Sequence, residues 1–346
     1  MQVLSATQAI SPAIARTRNL LFRPFEFGTF LKLCAVAVFT EGFSGNFNSK
    51  HASPAQAHGP SGPMLFHFNP ALIALIVAIV LAVIIVAIVI FYLVVRLRFA
   101  LFDCLIHQST LIAPGWHKYR QQAIRFFLFS IFVGVVFFVL VVVALAPFGL
   151  GFWRLYQQSQ QSGQFPPAQI IALILPLIPV VLLIALIGFC VDLVMHDFML
   201  PHFALEGASV GQACAAVWDR IISEPGAFLL YAVLRVVLPF VAVIALTIAL
   251  FIPCVILFGA LGLAMAGVHA VIGHAAMPFT VLGWFVEVAL GLIIAGLALF
   301  VAVCFGGPLS IAIRNYALLF YGSRYAALGN ILSPPPAPMG MQPGIA

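Results

Sequence analysis

Glu287 is the side chain in this sequence whose surroundings most restrict what it can be. It lies within Trp284-Phe285-Val286-Glu287-Val288-Ala289-Leu290, and a carboxyl in so apolar a run is costly unless it is neutral, paired or facing water. Acids at such depth mark ion or substrate paths, so Glu287 is the first candidate site. Gly283, Gly291 and Ala295 share its helix face and suit close helix contact. The opposite side carries Phe285, Leu292 and Leu299, better suited to lipid. Arg235 is its candidate partner, provided the apolar run around it begins near Phe228. If the run begins at Val236, Arg235 instead snorkels to the headgroups, and the tract Val236–Phe258, long enough to span alone, favours that arrangement.

A second candidate group is Asp192, His196, Asp197 and His202. Asp192 and His196 are four apart and share a helix face, and Asp103 with His107 repeats that spacing. A carboxylate beside an imidazole can ligate a divalent cation or relay a proton. Zinc sites, however, need three or four ligands, so these residues read as an interfacial polar cluster that caps and hydrogen-bonds. His51, His58, His67, His269 and His274 fall in expected outer loops with no ligand spacing. Cys34, Cys104, Cys190, Cys214, Cys254 and Cys304 form no close pair. With no nucleophile elbow, zinc-protease pair or phosphate loop in a meaningful context, the expectation is a non-enzyme with no metal and no cofactor. The glycines of Gly259-Ala260-Leu261-Gly262 read as helix-packing positions.

The elements that must position these residues follow from composition. Hydrophobic residues make up 64% of the 346, charged residues 7%, and the mean hydropathy is +1.18. A globular domain carries about 25% charged residues to face water, so a soluble core is excluded. Six apolar spans are expected, near Phe25–Phe43, Pro70–Val95, Phe126–Leu145, Ile170–Val191, Val236–Phe258 and Val281–Cys304. They define an all-α membrane fold, six helices in three hairpins. Residues 1–24 form a cytoplasmic amphipathic lead, 25–325 the transmembrane domain, and 326–346 a disordered Pro-rich cytoplasmic tail. Residues 44–69 read as a Gly/Ser/Pro/His-rich outer loop. The Ala55-Gln56-Ala57 triplet lies too far past the first apolar core to be a signal-cleavage site.

Of the 15 Lys and Arg, all but Lys50 and Arg154 fall on one side of this topology. The positive-inside rule then places both termini in the cytoplasm. The formal charge of +6 is thereby explained by orientation and by attraction to anionic headgroups. No clustered basic face suits nucleic acid.

An internal echo organises the cytoplasmic side. Trp116-His117-Lys118-Tyr119-Arg120 and Trp218-Asp219-Arg220 each precede an apolar span by a similar distance, and Arg314-Asn315-Tyr316 through Tyr321 closes a third unit. Trp116 and Trp218 read as anchors at the headgroup level, on amphipathic helices lying along the interface.

Phe99-Ala100-Leu101-Phe102-Asp103 with Trp116, then Asp197-Phe198-Met199-Leu200-Pro201 with Gly226–Tyr231, and finally Tyr316–Tyr321, carry a family likeness. Together they resemble an uncharacterised family of bacterial and archaeal multi-pass membrane proteins. That family looks related to the membrane domain accompanying some glycerophosphodiester phosphodiesterases. The resemblance implies a six-helix architecture, a plasma-membrane location and an association with lipids; it carries over no phosphodiesterase activity. The expected function is therefore a lipid-associated or scaffold-like inner-membrane protein, with membrane lipids as partners. A second copy or another membrane protein is left open as a further partner. The alternative is a small transporter or channel with a path past Glu287.

Overall fold

The computed structural model describes residues 3–45, 70–162, 167–272 and 277–333, and every regular element among them is helical. The expectations for residues 46–69, including His51, His58 and His67, lie outside the described residues, as do those for His274 and for the tail from Pro334 onward.

In chain order, α1 (Ile10–Phe22) precedes α2 (Phe27–Gly45), and α3 (Pro70–His107) is followed by the short α4 (Ile112–Lys118). Next come α5 (Arg120–Ser162) and α6 (Pro167–Leu193), the latter running through a π-helical turn (Val194–Met199) into α7 (Leu200–Leu205). Then α8 (Val210–Ser223), α9 (Pro225–Ile272), α10 (Met277–Gly322) and α11 (Ala326–Leu332) complete the chain. Gln108 and Gly207 take left-handed φ values of 53° and 59°. Each reverses the chain after an apolar helix and before a short one, the turn that a left-handed residue makes at a helix end.

Among the described residues, five helical runs are long and apolar enough to cross a membrane: Ala74–His107, Arg120–Gln160, Pro167–Leu205, Pro225–Val271 and Gly283–Gly322. Their most apolar windows are only 0–11% buried within the protein. So much exposed hydrocarbon has no stable partner in water, and its natural solvent is lipid. The Ile/Val run of α3, strand-like in composition, is helical because hydrocarbon leaves backbone groups no partner outside their own helix. The helices outrun the spans expected from sequence. At 48 residues, α9 extends about 72 Å at 1.5 Å per residue, against a hydrocarbon core of about 30 Å. The first expected span corresponds to α2, which has 19 residues, carries Lys32 and Glu41, and is not among the five.

The chain divides into two compact units. One comprises Met1–Arg23, Gln121–Leu257 and Ile311–Ala346. Its core is aromatic: Phe198 stacks on Tyr321 at 5.1 Å and meets Phe228 edge-on at 5.1 Å, while Tyr231 stacks on Phe320 at 4.5 Å. The chain ends are tied into this core. Asn315 donates Nδ2 to Thr17 Oγ1 at 2.9 Å, and Arg16 Nη1 reaches the Leu332 carbonyl at 3.4 Å. Residues 326–332 are therefore not disordered as their place in the tail suggests. They form α11 because Leu328 and Gly329 bury themselves; the proline run begins only at Pro334.

The other unit comprises Pro24–Arg120 and Phe258–Ser310. Here α3 holds α2 through Arg98, 3% exposed, whose Nε and Nη2 donate to the Thr40 carbonyl at 3.1 and 2.8 Å. Gly307 lies so close to Cys34 that a Cβ has no room. Of the glycines expected to pack helices, Gly259, Gly262 and Gly291 do not, since a Cβ there meets nothing within 4 Å, whereas Gly283 is buried. Spacing alone cannot distinguish a small residue at a contact from one facing lipid.

Candidate functional site

The polar residues sort by burial into separate constellations, and the deepest centres on Asp197, 2% exposed in the π-helical turn. Tyr231 Oη donates to its Oδ2 at 2.8 Å and Arg235 Nε to the same oxygen at 3.0 Å. Tyr231 and Arg235 are four residues apart on α9, so one helix face supplies both. Arg314, from α10, donates Nη1 to Asp197 Oδ1 at 3.3 Å and to the His196 carbonyl at 3.0 Å. The π-helical register displaces carbonyls from the regular i→i−4 ladder, which suits His196 to accept from a side chain. One carboxylate thus ties the end of α6 to α9 and α10. A buried charge is tolerable only when paired and hydrogen-bonded, and here both carboxylate oxygens are occupied.

Arg235 is therefore neither the partner of Glu287 nor a snorkelling residue. Its side chain is 17% exposed and committed to Asp197. Glu287, 17% exposed, instead lies 2.7 Å from His269 Nδ1. His269 is in α9 rather than an outer loop, because α9 continues well past the expected end of its span. Phe285, Leu292 and Leu299 are exposed, as expected for lipid-facing positions, but Gly291 is open as well.

The expected quartet separates into three. Asp192 pairs with His196 at 2.7 Å, Asp197 joins the arginines, and His202 belongs elsewhere. His202 is 1% exposed, with Nε2 2.7 Å from Tyr321 Oη and Nδ1 3.3 Å from Glu206 Oε2. A neutral ring protonated on Nδ1 satisfies both contacts, donating to the carboxylate and accepting from the phenol. Glu206 is held below the usual carboxylate range, first by the Tyr325 hydroxyl and then by His202, while burial pushes Tyr325 up. Arg220 lies 5.1 Å over the Tyr325 ring. Among the described residues no group of three or more His, Cys, Asp or Glu is arranged to hold a metal ion.

A shallower counterpart surrounds Asp103 in the other unit. Tyr119 Oη donates at 3.0 Å and Lys118 Nζ at 3.3 Å, while His107 Nδ1 is 3.5 Å away. Gly115 makes this possible, since a Cβ there would come within 2.9 Å of Asp103 Cβ and 3.0 Å of Ala100 Cα. Tyr119 first, then Asp103, hold the Lys118 ammonium above its ordinary value, and burial raises Tyr119. Arg96 lies 4.2 Å over the Trp116 ring and donates Nε and Nη2 to the Trp116 carbonyl at 3.3 and 3.1 Å. Trp218, by contrast, is 62% exposed on α8.

Sequence reading named Tyr231, Arg314, Tyr321 and His269 but assigned none of them to a candidate site. Only the first left a local signal, its four-residue spacing from Arg235.

Long apolar helices whose polar residues gather into a few clusters mark an all-α membrane protein. The chain belongs to a family of unknown function, DUF7544, whose profile matches residues 4–331. No curated protein and no solved structure matches it.

Proposed function

We propose that this protein is a non-enzymatic, multi-pass scaffold of the inner membrane that associates with lipids. Its six spans would form three hairpins with both termini in the cytoplasm. The observation that carries this reading is the commitment of its polar side chains to structure: Asp197 is 2% exposed, Tyr231 is fully buried, and the acid's two oxygens are taken by α9 and α10. A group so enclosed ties helices together and meets no substrate. Lipid association is supported by the amphipathic α8, which buries Ala213 and Val217 and exposes Trp218 and Ile222. The motif likeness to the membrane domain accompanying some glycerophosphodiester phosphodiesterases is consistent with this reading.

Lipid mass spectrometry of the purified protein tests the reading, with co-purifying phospholipid expected and its absence after mild extraction counting against it. Cysteine probes at Ser61 and Gln160 should react from outside intact cells, whereas one at Gln342 should not. The second reading, a transporter with a path past Glu287, draws on the Glu287–His269 contact. Liposome flux lost in Glu287→Gln would favour it over the scaffold.

A further inference from the structure

Within the unit that contains α8, an apolar groove of about 580 Å³ opens between α5, the passage from α6 into the π-helical turn, and α8. That volume falls inside the range of about 300–1,000 Å³ typical of small-molecule sites. Phe129 and Val133 form one wall, Val194 and Met195 a second, Trp218 and Ile221 the third. The lining is apolar but for the Cys190 and Cys214 thiols and the Trp218 indole N–H, so it offers a polar solute little to orient it.

We infer that this groove holds an acyl chain of an anionic phospholipid, an assignment that rests on the lipid-associated reading and names its ligand. Two of the three walls belong to runs apolar enough to cross a membrane, Arg120–Gln160 and Pro167–Leu205. The medium at the groove's mouth is then hydrocarbon, and a bilayer chain can enter sideways without leaving it. Met195 and Met199 supply adaptable walls, and Trp218 offers the amphipathic ring that prefers the headgroup boundary. The headgroup charge is set by Arg125. It is exposed and lies one helical turn before Phe129, on the same face of α5. A basic chain of formal charge +6 gives that choice a favourable background field.

The test uses the full chain with Trp116→Phe, Trp153→Phe and Trp284→Phe, leaving Trp218 as the sole tryptophan, excited selectively over the tyrosines. It is reconstituted in phosphatidylcholine vesicles doped with brominated-chain phosphatidylglycerol or brominated-chain phosphatidylcholine. Saturable quenching is expected, with the anionic lipid half-effective at an about fivefold lower mole fraction, the preference one basic residue near the surface provides. Ala215→Phe, a change at an exposed lining position, should remove the saturable component. Arg125→Gln should leave it but erase the preference between headgroups. Quenching that rises in simple proportion to either lipid, unchanged by Ala215→Phe, would mean boundary lipid only and overturn the site while leaving lipid association standing. No quenching by any lipid would overturn both. Quenching that disappears as the protein-to-lipid ratio rises would put a second copy in the groove and overturn the assignment.

Discussion

Asp103 and Asp197 use one chemical pattern at two depths. Each sits near the end of an apolar helix, accepts a tyrosine hydroxyl and pairs with a cation, at 3.0 and 3.3 Å for Asp103 and at 2.8 and 3.0 Å for Asp197. The partners differ in access to water. Lys118 and His107 are 55% and 46% exposed, whereas Arg235 and Arg314 are 17% and 10% exposed. The shallow cluster can lose a member and let water take its place. The deep cluster cannot, since removing the acid leaves two guanidinium groups facing a site with no solvent. The pattern is therefore a weak latch in one unit and a staple in the other, and burial rather than residue type decides which.

The largest test of that contrast is the pair of alanine substitutions. Asp197→Ala should destabilise the detergent-solubilised protein by about 3–5 kcal/mol, the cost of stranding a buried charge. Asp103→Ala should cost at most about 1 kcal/mol through its exposed ion pairs, apart from any loss of the Tyr119 bond. Equal losses in chemical denaturation would erase the distinction.

Gly115→Ala probes the close approach on which the Asp103 cluster depends. With 2.9 Å to Asp103 Cβ and 3.0 Å to backbone, the new methyl should cost about 1–3 kcal/mol, as overpacking does. Gly291→Ala, with nothing within 4 Å, is the control in the same unfolding assay and should lose no stability, gaining up to about 1 kcal/mol from helix propensity.

Tyr231→Phe removes one bond to a charged acceptor and should cost about 1.5–3 kcal/mol. Tyr119→Phe should cost less, because water reaches Asp103 more readily. A larger loss at Tyr119 would reverse the ranking of the clusters.

The smallest effects are in pH. Glu206 is depressed below its ordinary 4.5, so its contribution is present above that pH and lost as pH falls through the lower folded value. Lys118 is raised above 10.5, so its contribution is full below 10.5 and lost as pH rises through the higher folded value. Glu206→Gln should flatten only the acid limb of stability against pH, and Lys118→Met only the alkaline limb. Both groups are solvent-exposed, 49% and 55%, which keeps the changes small.

The i,i+4 contacts Asp192–His196 and Asp103–His107 were legible from spacing because helix geometry fixes which residues are neighbours. Arg235 and Glu287 were both visible as anomalies in apolar runs, yet their pairing was not. Arg235 meets an acid 38 residues earlier in sequence and Glu287 a histidine 18 residues earlier. The glycines of α9 looked like packing positions, whereas among the described residues the ones that admit a close neighbour include Gly115, Gly151, Gly188, Gly307 and Gly322.

Composition and hydrophobic run length alone determined that this chain is helical and apolar enough for a membrane, because hydrocarbon allows no other open backbone. The tertiary structure decided what each polar residue is for. Hydrophobicity is a local property summed along the chain, while the partner of a buried charge depends on which helix faces arrive together. That is why Asp197, one of four equivalent-looking residues near the end of α6, emerges as the one whose loss the fold is least able to absorb.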